Sequence, residues 1–270
     1  LDSWLLSKDA VLELFKRRAE DADISVIEGV MGLYDGLKGR EQGSTGHLAK
    51  ILNSPVILIL DGRSLSRSAG AIALGYKEFD RDVDIAGILL NNIAGENHYH
   101  YIKAAIERRT RIPVLGYLPR DPNLKLSERH LGLIPLEERK LNIDFYKRLS
   151  KLVTDNINLT RLLEIGRKAK SLPYPREIIF KKESLKCRVR IAVAKDAAFN
   201  FYYQDNLDIL SYLGANITTF SPLRDRELPE GIDGLYIGGG FPEVFAFGLS
   251  KNKSLKRSIY RKAGEGLPIY

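Results

Sequence analysis

Short continuous apolar runs alternate along this chain with longer amphipathic stretches. Residues 8–21 carry helical spacing, with Ser7 as N-cap. "ISVIE" (24–28) is β-branched and predicts a short strand. Ser44 is placed to cap a helix running to about Asn53. "PVILILD" (55–61) is unbroken apolar sequence, as expected of a strand buried on both faces. A helix is predicted over 65–79, a strand over 84–92, a helix over 96–109 and a strand over 113–119. Strands alternating with helices imply right-handed βαβ units and a parallel sheet.

A polar loop, "RDPNLKLSERHLGL" (120–133), follows, then two helices covering roughly 142–170. Residues 171–187 mix proline and charge and read as an interdomain linker. A second α/β unit is predicted from 188: a strand at 188–196, a helix near 203–213, a strand near 216–220, and "DGLYIGGGFPE" (233–243) as strand, glycine turn and helix start. A helix covers 253–264, and "GLPIY" (266–270) reads as a strand just begun. The expected organisation is one domain over 1–170, a linker over 171–187 and a second domain over 188–270.

In open α/β sheets, ligands bind beyond the carboxyl ends of the strands. Four polar residues are predicted there: Glu28, Asp61, Asn91 and Arg120. In "VIEGVMGLYDG" (26–36), Glu28 and Asp35 are hard oxygen donors suited to Mg²⁺ held with phosphates. The surrounding glycines would allow close backbone approach to a ligand. The plainer alternative is a strand-end acid followed by an Asx-type turn at Asp35–Gly36. No G-x-x-x-x-G-K-[ST] phosphate loop occurs in the 270 residues.

His98 and His100, two apart on a helix, diverge and make a poor metal pair. His130 beside Arg129 reads either as an anion contact or as a surface turn residue. Cys187 lacks the glycine-flanked strand-to-helix elbow of a nucleophile. In "YIGGGFPE", successive glycine N–H groups after a strand would form either an oxyanion-binding turn or a plain tight turn.

Composition changes the picture in three respects. At 44% hydrophobic residues the chain can bury a core, and its length suits about two domains. A single cysteine rules out an internal disulfide and fits a reducing, cytoplasmic setting; the apolar runs are too short for a bilayer, so no membrane partner is expected. The net charge of +8 is concentrated in 161–190, where ten Lys/Arg face three Glu. That stretch interleaves few aromatics for base stacking, so it reads as a solvated basic segment and no nucleic-acid partner is expected.

The motifs together resemble the cobyrinic acid a,c-diamide synthase family, glutamine-dependent amidoligases of tetrapyrrole cofactor synthesis. The resembling segments are "LDSWLL" (1–6), "VIEGVMGLYDG" (26–36), "GSTGHLAKIL" (43–52), "PVILILDGRSLSRSAGAIALG" (55–75), "GILLNN" (87–92), "IPVLGYLPRD" (112–121), "LSERHLGLIP" (126–135), "DAAFNFYY" (196–203), "FSPLRD" (220–225) and "LYIGGGFPE" (235–243). They occur in family order and span essentially the whole chain.

The resemblance implies an α/β protein. A parallel-sheet, P-loop NTPase-like (dethiobiotin-synthetase-like) domain would be followed by a class I glutamine amidotransferase-like domain. It implies ATP and Mg²⁺ as cofactors, and glutamine and a tetrapyrrole polycarboxylate as small-molecule partners, with homodimerisation as a further expectation. Glu28 would be the Mg²⁺ ligand and, with Asp35, catalytic. Asn91 would read adenine, with Leu118 and Pro119 as the neighbouring wall. Tyr34, Ser44, Thr45, Arg67, Arg120, Arg129 and His130 would bind substrate, since Arg holds carboxylates bidentately. Gly239 and Gly240 would build the oxyanion turn.

The family's phosphate loop precedes the "LDSW" segment and its nucleophilic cysteine follows "GLPIY". The chain is therefore expected to be a piece lacking both, inactive by itself. The substrate expectation is cobyrinic acid. Nickel sirohydrochlorin, on the way to coenzyme F430, is the alternative, and a catalytically inactive binding or scaffold fragment is the alternative of another class.

Overall fold

The computed structural model describes residues 1–124, 143–181 and 189–270. The predicted roles of Arg129, His130 and Cys187 lie outside the described residues. The chain divides into two compact units, one built on 1–124 and 143–177 and the other on 178–181 and 189–270.

In the first unit, α1 (Lys8–Ala19) starts at Ser7, whose Oγ accepts from the Ala10 N–H at 3.3 Å. Its Val11 and Leu12 pack with Leu52, beyond α2 (Thr45–Ile51), and with Leu172 in a cluster of their own. Next come β1 (Val56–Asp61), α3 (Ser68–Phe79), β2 (Ile85–Ile93), α4 (Glu96–Thr110) and β3 (Val114–Pro119). The three strands form a parallel sheet in the order β1-β2-β3. The main core, including Leu58, Leu60, Ile88, Leu90, Ile102 and Ile106, is drawn from these strands and the helices between them. Burying each such side chain contributes about 1.5–3 kcal/mol. α5 (Ile143–Asn156) and α6 (Leu159–Arg167) lie against β3.

One predicted element is absent. Residues 24–28 form no strand, and Val26 is 92% exposed. β-Branched composition favours strands only where a neighbouring strand accepts the ladder bonds, and no described strand lies beside this segment. Glu28 is accordingly not a strand-end residue.

In the second unit, β4 (Val189–Ala194), α7 (Gln204–Tyr212), β5 (Ala215–Phe220) and β6 (Gly234–Tyr236) form a parallel sheet in the order β5-β4-β6. Residues 268–270 run parallel beside β6. Leu235 N donates to Pro268 O, Tyr270 N to Leu235 O, and Ile237 N to Tyr270 O, at 2.8–2.9 Å. α8 (Ala246–Lys251) begins after a turn at Pro242–Phe245, later than the helix start expected at 243. α9 (Lys253–Gly264) seals the core formed by Ala192, Ala194, Phe220, Leu235 and Leu255.

The segment expected as a linker is divided in its packing. Tyr174 lies under the Lys16 ammonium at 3.1 Å, whereas Phe180 meets Tyr212 edge to face at 5.2 Å. Among the described residues, no helix is long and apolar enough to cross a membrane.

Two predictions test these packing statements. An added Cβ at Gly70, on α3, would stand 2.6 Å from the Ala105 carbonyl oxygen of α4. Gly70→Ala is expected to destabilise the first unit by about 1–3 kcal/mol in chemical denaturation, because backbone cannot yield as a side chain can. The second concerns Lys50, which bridges Glu41 and Asp80, its Nζ 2.6 Å from Asp80 Oδ2. The Lys50 hydrogen bond holds the Asp80 carboxyl below its ordinary value of 3.8. A depressed folded pKa adds stability above the unfolded value, and this is lost as pH falls through the folded one. Asp80→Asn should therefore be about 1 kcal/mol less stable than the wild type near neutrality. The gap should close as denaturation is repeated at pH values falling below 3.8.

Candidate active site

Parallel pairing sets the first unit's carboxyl edge. Asp61 lies opposite Asn91, and Ile93 opposite Pro119. The next residue, Arg120, donates its N–H to Ile93 O at 2.9 Å. The structure thus brings Asp61, Asn91 and Arg120 to one edge, as the strand pattern predicted, together with Leu118 and Pro119; Glu28, predicted at the same edge, ends no strand. β2 runs on to Ile93, so Asn91 lies within the strand, two residues short of its end. Its Oδ1 accepts from the Asn92 N–H at 2.9 Å. Asp61 accepts from Arg63 Nε at 2.7 Å and from the Arg63 N–H at 3.0 Å. The Arg63 guanidinium holds the Asp61 carboxyl below its usual range, so this acid is ionised and committed to its own turn.

The 26–36 loop is compact. An added Cβ on Gly29 would stand 2.6 Å from Thr45 Cγ2, on Gly32 2.0 Å from Asp35 Oδ2, and on Gly36 2.1 Å from Arg40 O. Glu28 and Asp35 are exposed, with Asp35 folded back over Gly32. No ion pair or side-chain hydrogen bond occupies Glu28 among the described residues, leaving a hard oxygen donor open to solvent. Tyr34 is spent structurally: its hydroxyl donates to Tyr76 O at 2.6 Å and its ring packs on Phe79 at 4.8 Å. Burial raises its phenol pKa. Ser44 is 2% exposed and its Oγ accepts from the His47 N–H at 3.0 Å, capping α2. Arg67 is exposed at the start of α3. Among the described residues, no group of three or more His, Cys, Asp or Glu gathers as a metal site.

Sequence reasoning missed His98. The Ala94 N–H donates to its Nδ1 at 3.1 Å, so Nε2 must carry the proton that it donates to Leu65 O at 2.7 Å. It is a neutral strut between the loops after β1 and β2. Nothing in the sequence signals this, because the Leu65 partner lies 33 residues away.

In the second unit the carboxyl edge carries the loops after β4, β5 and β6. Asp196, just past β4, accepts from Ala198 N and Phe199 N on Oδ1, and from Ser221 Oγ and Leu223 N on Oδ2. The glycine turn after β6 faces residues 198–202: Phe201 N donates to Gly239 O at 3.1 Å and Phe241 N to Ala198 O at 3.0 Å. Gly239 is exposed and Gly240 partly so. Among the described residues, no hydrogen bond takes up the Gly240 N–H, so the turn presents a donor of the kind an oxyanion needs.

Comparison with known proteins agrees with this division. Residues 5–127 match the family described as an AAA domain, and residues 190–270 match the CobB/CobQ-like glutamine amidotransferase domain. The whole chain aligns with proteins named cobyrinate a,c-diamide synthase. It is 50% identical to that of Listeria monocytogenes serotype 4b, covering 100% of this chain and 60% of the relative. It is 45% identical to that of Methanosarcina acetivorans, covering 100% and 56%, and 45% identical to that of Caldanaerobacter subterraneus, covering 100% and 59%. The chain thus spans about 60% of the length of the relatives it matches. No solved structure matches it. The two α/β units match an AAA domain and a CobB/CobQ-like glutamine amidotransferase domain in that order, and the chain is similar from end to end to proteins named cobyrinate a,c-diamide synthase.

Proposed function

We propose that this chain is part of an ATP- and glutamine-dependent amidoligase that converts the a- and c-side-chain carboxylates of cobyrinic acid to amides. The observation that carries the reading is the pairing of two units with different edges. One gathers Asn91, Pro119 and Arg120 at its carboxyl edge and carries Glu28 on an exposed loop; the other ends in a glycine turn with an unspent N–H. In this reading ATP phosphorylates a substrate carboxylate to an acyl phosphate. Ammonia released from glutamine attacks its carbonyl carbon, phosphate leaves and the amide remains.

Each residue's part follows from its chemistry. Glu28, an unpaired hard donor, fits a Mg²⁺ that would otherwise be held by phosphates and water. The cation would supply neutralisation of phosphate charge. Asn91 has Oδ1 engaged by Asn92 and its amide N–H groups left for a ring-nitrogen acceptor of adenine. Arg67 and Arg120 are exposed guanidinium groups suited to the acidic substituents of a tetrapyrrole. Ser44 contributes by capping α2 and Thr45 by bracing Gly29. Asp35 lies on the same loop as Glu28 and would orient the substrate carboxylate or the ammonia. Gly239 and Gly240 would stabilise the oxyanion formed as the glutamine amide is attacked.

The test is an amidation assay on the complete gene product with ATP, glutamine and either cobyrinic acid or nickel sirohydrochlorin. Diamide from cobyrinic acid, with kcat reduced at least about 100-fold in Glu28→Gln, is the expected result. Amidation of nickel sirohydrochlorin alone would reassign the substrate. Unchanged kcat in the mutant would remove Glu28 from the chemistry. Asn91→Ala should raise the KM for ATP about tenfold with kcat little changed, the signature of lost ground-state binding.

A further inference from the structure

The glycine turn is held by a residue that the proposed function does not use. Tyr202 lies in the loop after β4 and its hydroxyl makes two hydrogen bonds. It donates to Ala194 O, the last residue of β4, at 2.5 Å, and accepts from Gly238 N at 2.9 Å. The ring occupies the space a side chain at 238 would need: an added Cβ would stand 2.3 Å from Tyr202 Cε1 and 2.8 Å from Cζ. Tyr202 also packs edge to face on Tyr236 at 5.3 Å, and Tyr236 on Tyr270 at 5.3 Å, so the ring is fixed by the edge of the sheet itself. Burial raises the phenol pKa, keeping the hydroxyl proton in place as a donor at neutral pH.

These bonds divide the turn's backbone donors. The Gly238 N–H goes to Tyr202 and the Phe241 N–H to Ala198 O. The two N–H groups that flank the turn are consumed by the 196–203 loop; between them Gly239 pairs with Phe201, and among the described residues no hydrogen bond takes up the Gly240 N–H. The loop is in turn pinned at its base by the four donors converging on Asp196.

We propose that Tyr202 is the positioning residue of the oxyanion turn: its hydroxyl ties the end of β4 to Gly238 and sets the direction of the unspent Gly240 N–H. This rests on the reading of the second unit as a glutaminase. Oxyanion donors act through their placement relative to the developing charge, so a sub-ångström shift of the turn weakens transition-state binding more than substrate binding.

Tyr202→Phe removes the hydroxyl and keeps the ring. In the complete gene product, glutamine-dependent amidation should lose about tenfold in kcat, with the KM for glutamine within about twofold. Amidation with ammonium chloride in place of glutamine should be unchanged, because it bypasses the turn. An unchanged glutamine-dependent rate would overturn the proposal. So would an equal fall with ammonia, which would mean that Tyr202 serves folding alone. If the wild type uses ammonia but not glutamine, the glutaminase reading fails. Hydrogen exchange at the Gly238 amide then decides the clamp in this 270-residue chain: faster exchange in Tyr202→Phe upholds it, and unchanged exchange overturns it.

Discussion

Parallel hydrogen bonding along β2 and β4 is the constraint on which the rest of the structure depends. Each is the central strand of its sheet, bonded on both sides in fixed register. Because neighbouring strands run the same way, every strand must end on the same side, and the polar residues that terminate them arrive together. Asp61 beside Asn91, and Pro119 beside Ile93, are consequences of register rather than of any attraction between those side chains. The same holds in the second unit, where the chain leaves β4 beside Phe220, whose carbonyl receives the Lys195 N–H at 2.8 Å. The apolar helices make the sheets stable, but the pairing decides where chemistry can occur.

The loops at those edges bury some apolar side chains, among them Leu65, Ala198 and Phe199, but their backbone geometry is set by hydrogen bonds. They are held by single side chains that each satisfy several backbone groups. His98 spans the loops after β1 and β2, Asp196 those after β4 and β5, and Tyr202 those after β4 and β6. Each net hydrogen bond contributes about 1 kcal/mol. A residue making two to four of them between segments distant in sequence contributes about as much to global stability as a core leucine, and it fixes geometry that no leucine could.

This division explains what could be read from the sequence. Continuous apolar runs such as "PVILIL" betray buried parallel strands, and the rule that ligands bind at carboxyl ends then points to Asn91 and Arg120. The run "ISVI" carries the same signal, but a strand is a pairing, and composition cannot report whether a partner is present. Tyr34 was legible as a residue near the site but not as a structural anchor, because its hydroxyl bonds a carbonyl 42 positions away. Tyr202 and Asp196 lay in a motif with no evident chemistry, since their partners, 36 and 25–27 residues distant, exist only in the folded state.

The glycines give the sharpest case. In sequence, a loop with Gly29, Gly32 and Gly36 reads as flexible, and so does Gly238–Gly240. None of these six adopts the left-handed backbone that only glycine enters easily; among the described residues the positive-φ glycines are Gly39, Gly43, Gly116, Gly214, Gly231 and Gly266. At the site an alanine could take the backbone angles without strain. It is opposed by contact instead: by backbone at Gly36 and Gly240, where an added Cβ would stand 2.1 Å from the Arg40 and Ala198 carbonyl oxygens, and by the Tyr202 ring at Gly238. Glycine fits those three positions because neighbouring groups have closed into the space a side chain would fill. Close packing restricts motion, so glycines that suggest mobility in the sequence mark closely fitted backbone at Gly36, Gly238 and Gly240.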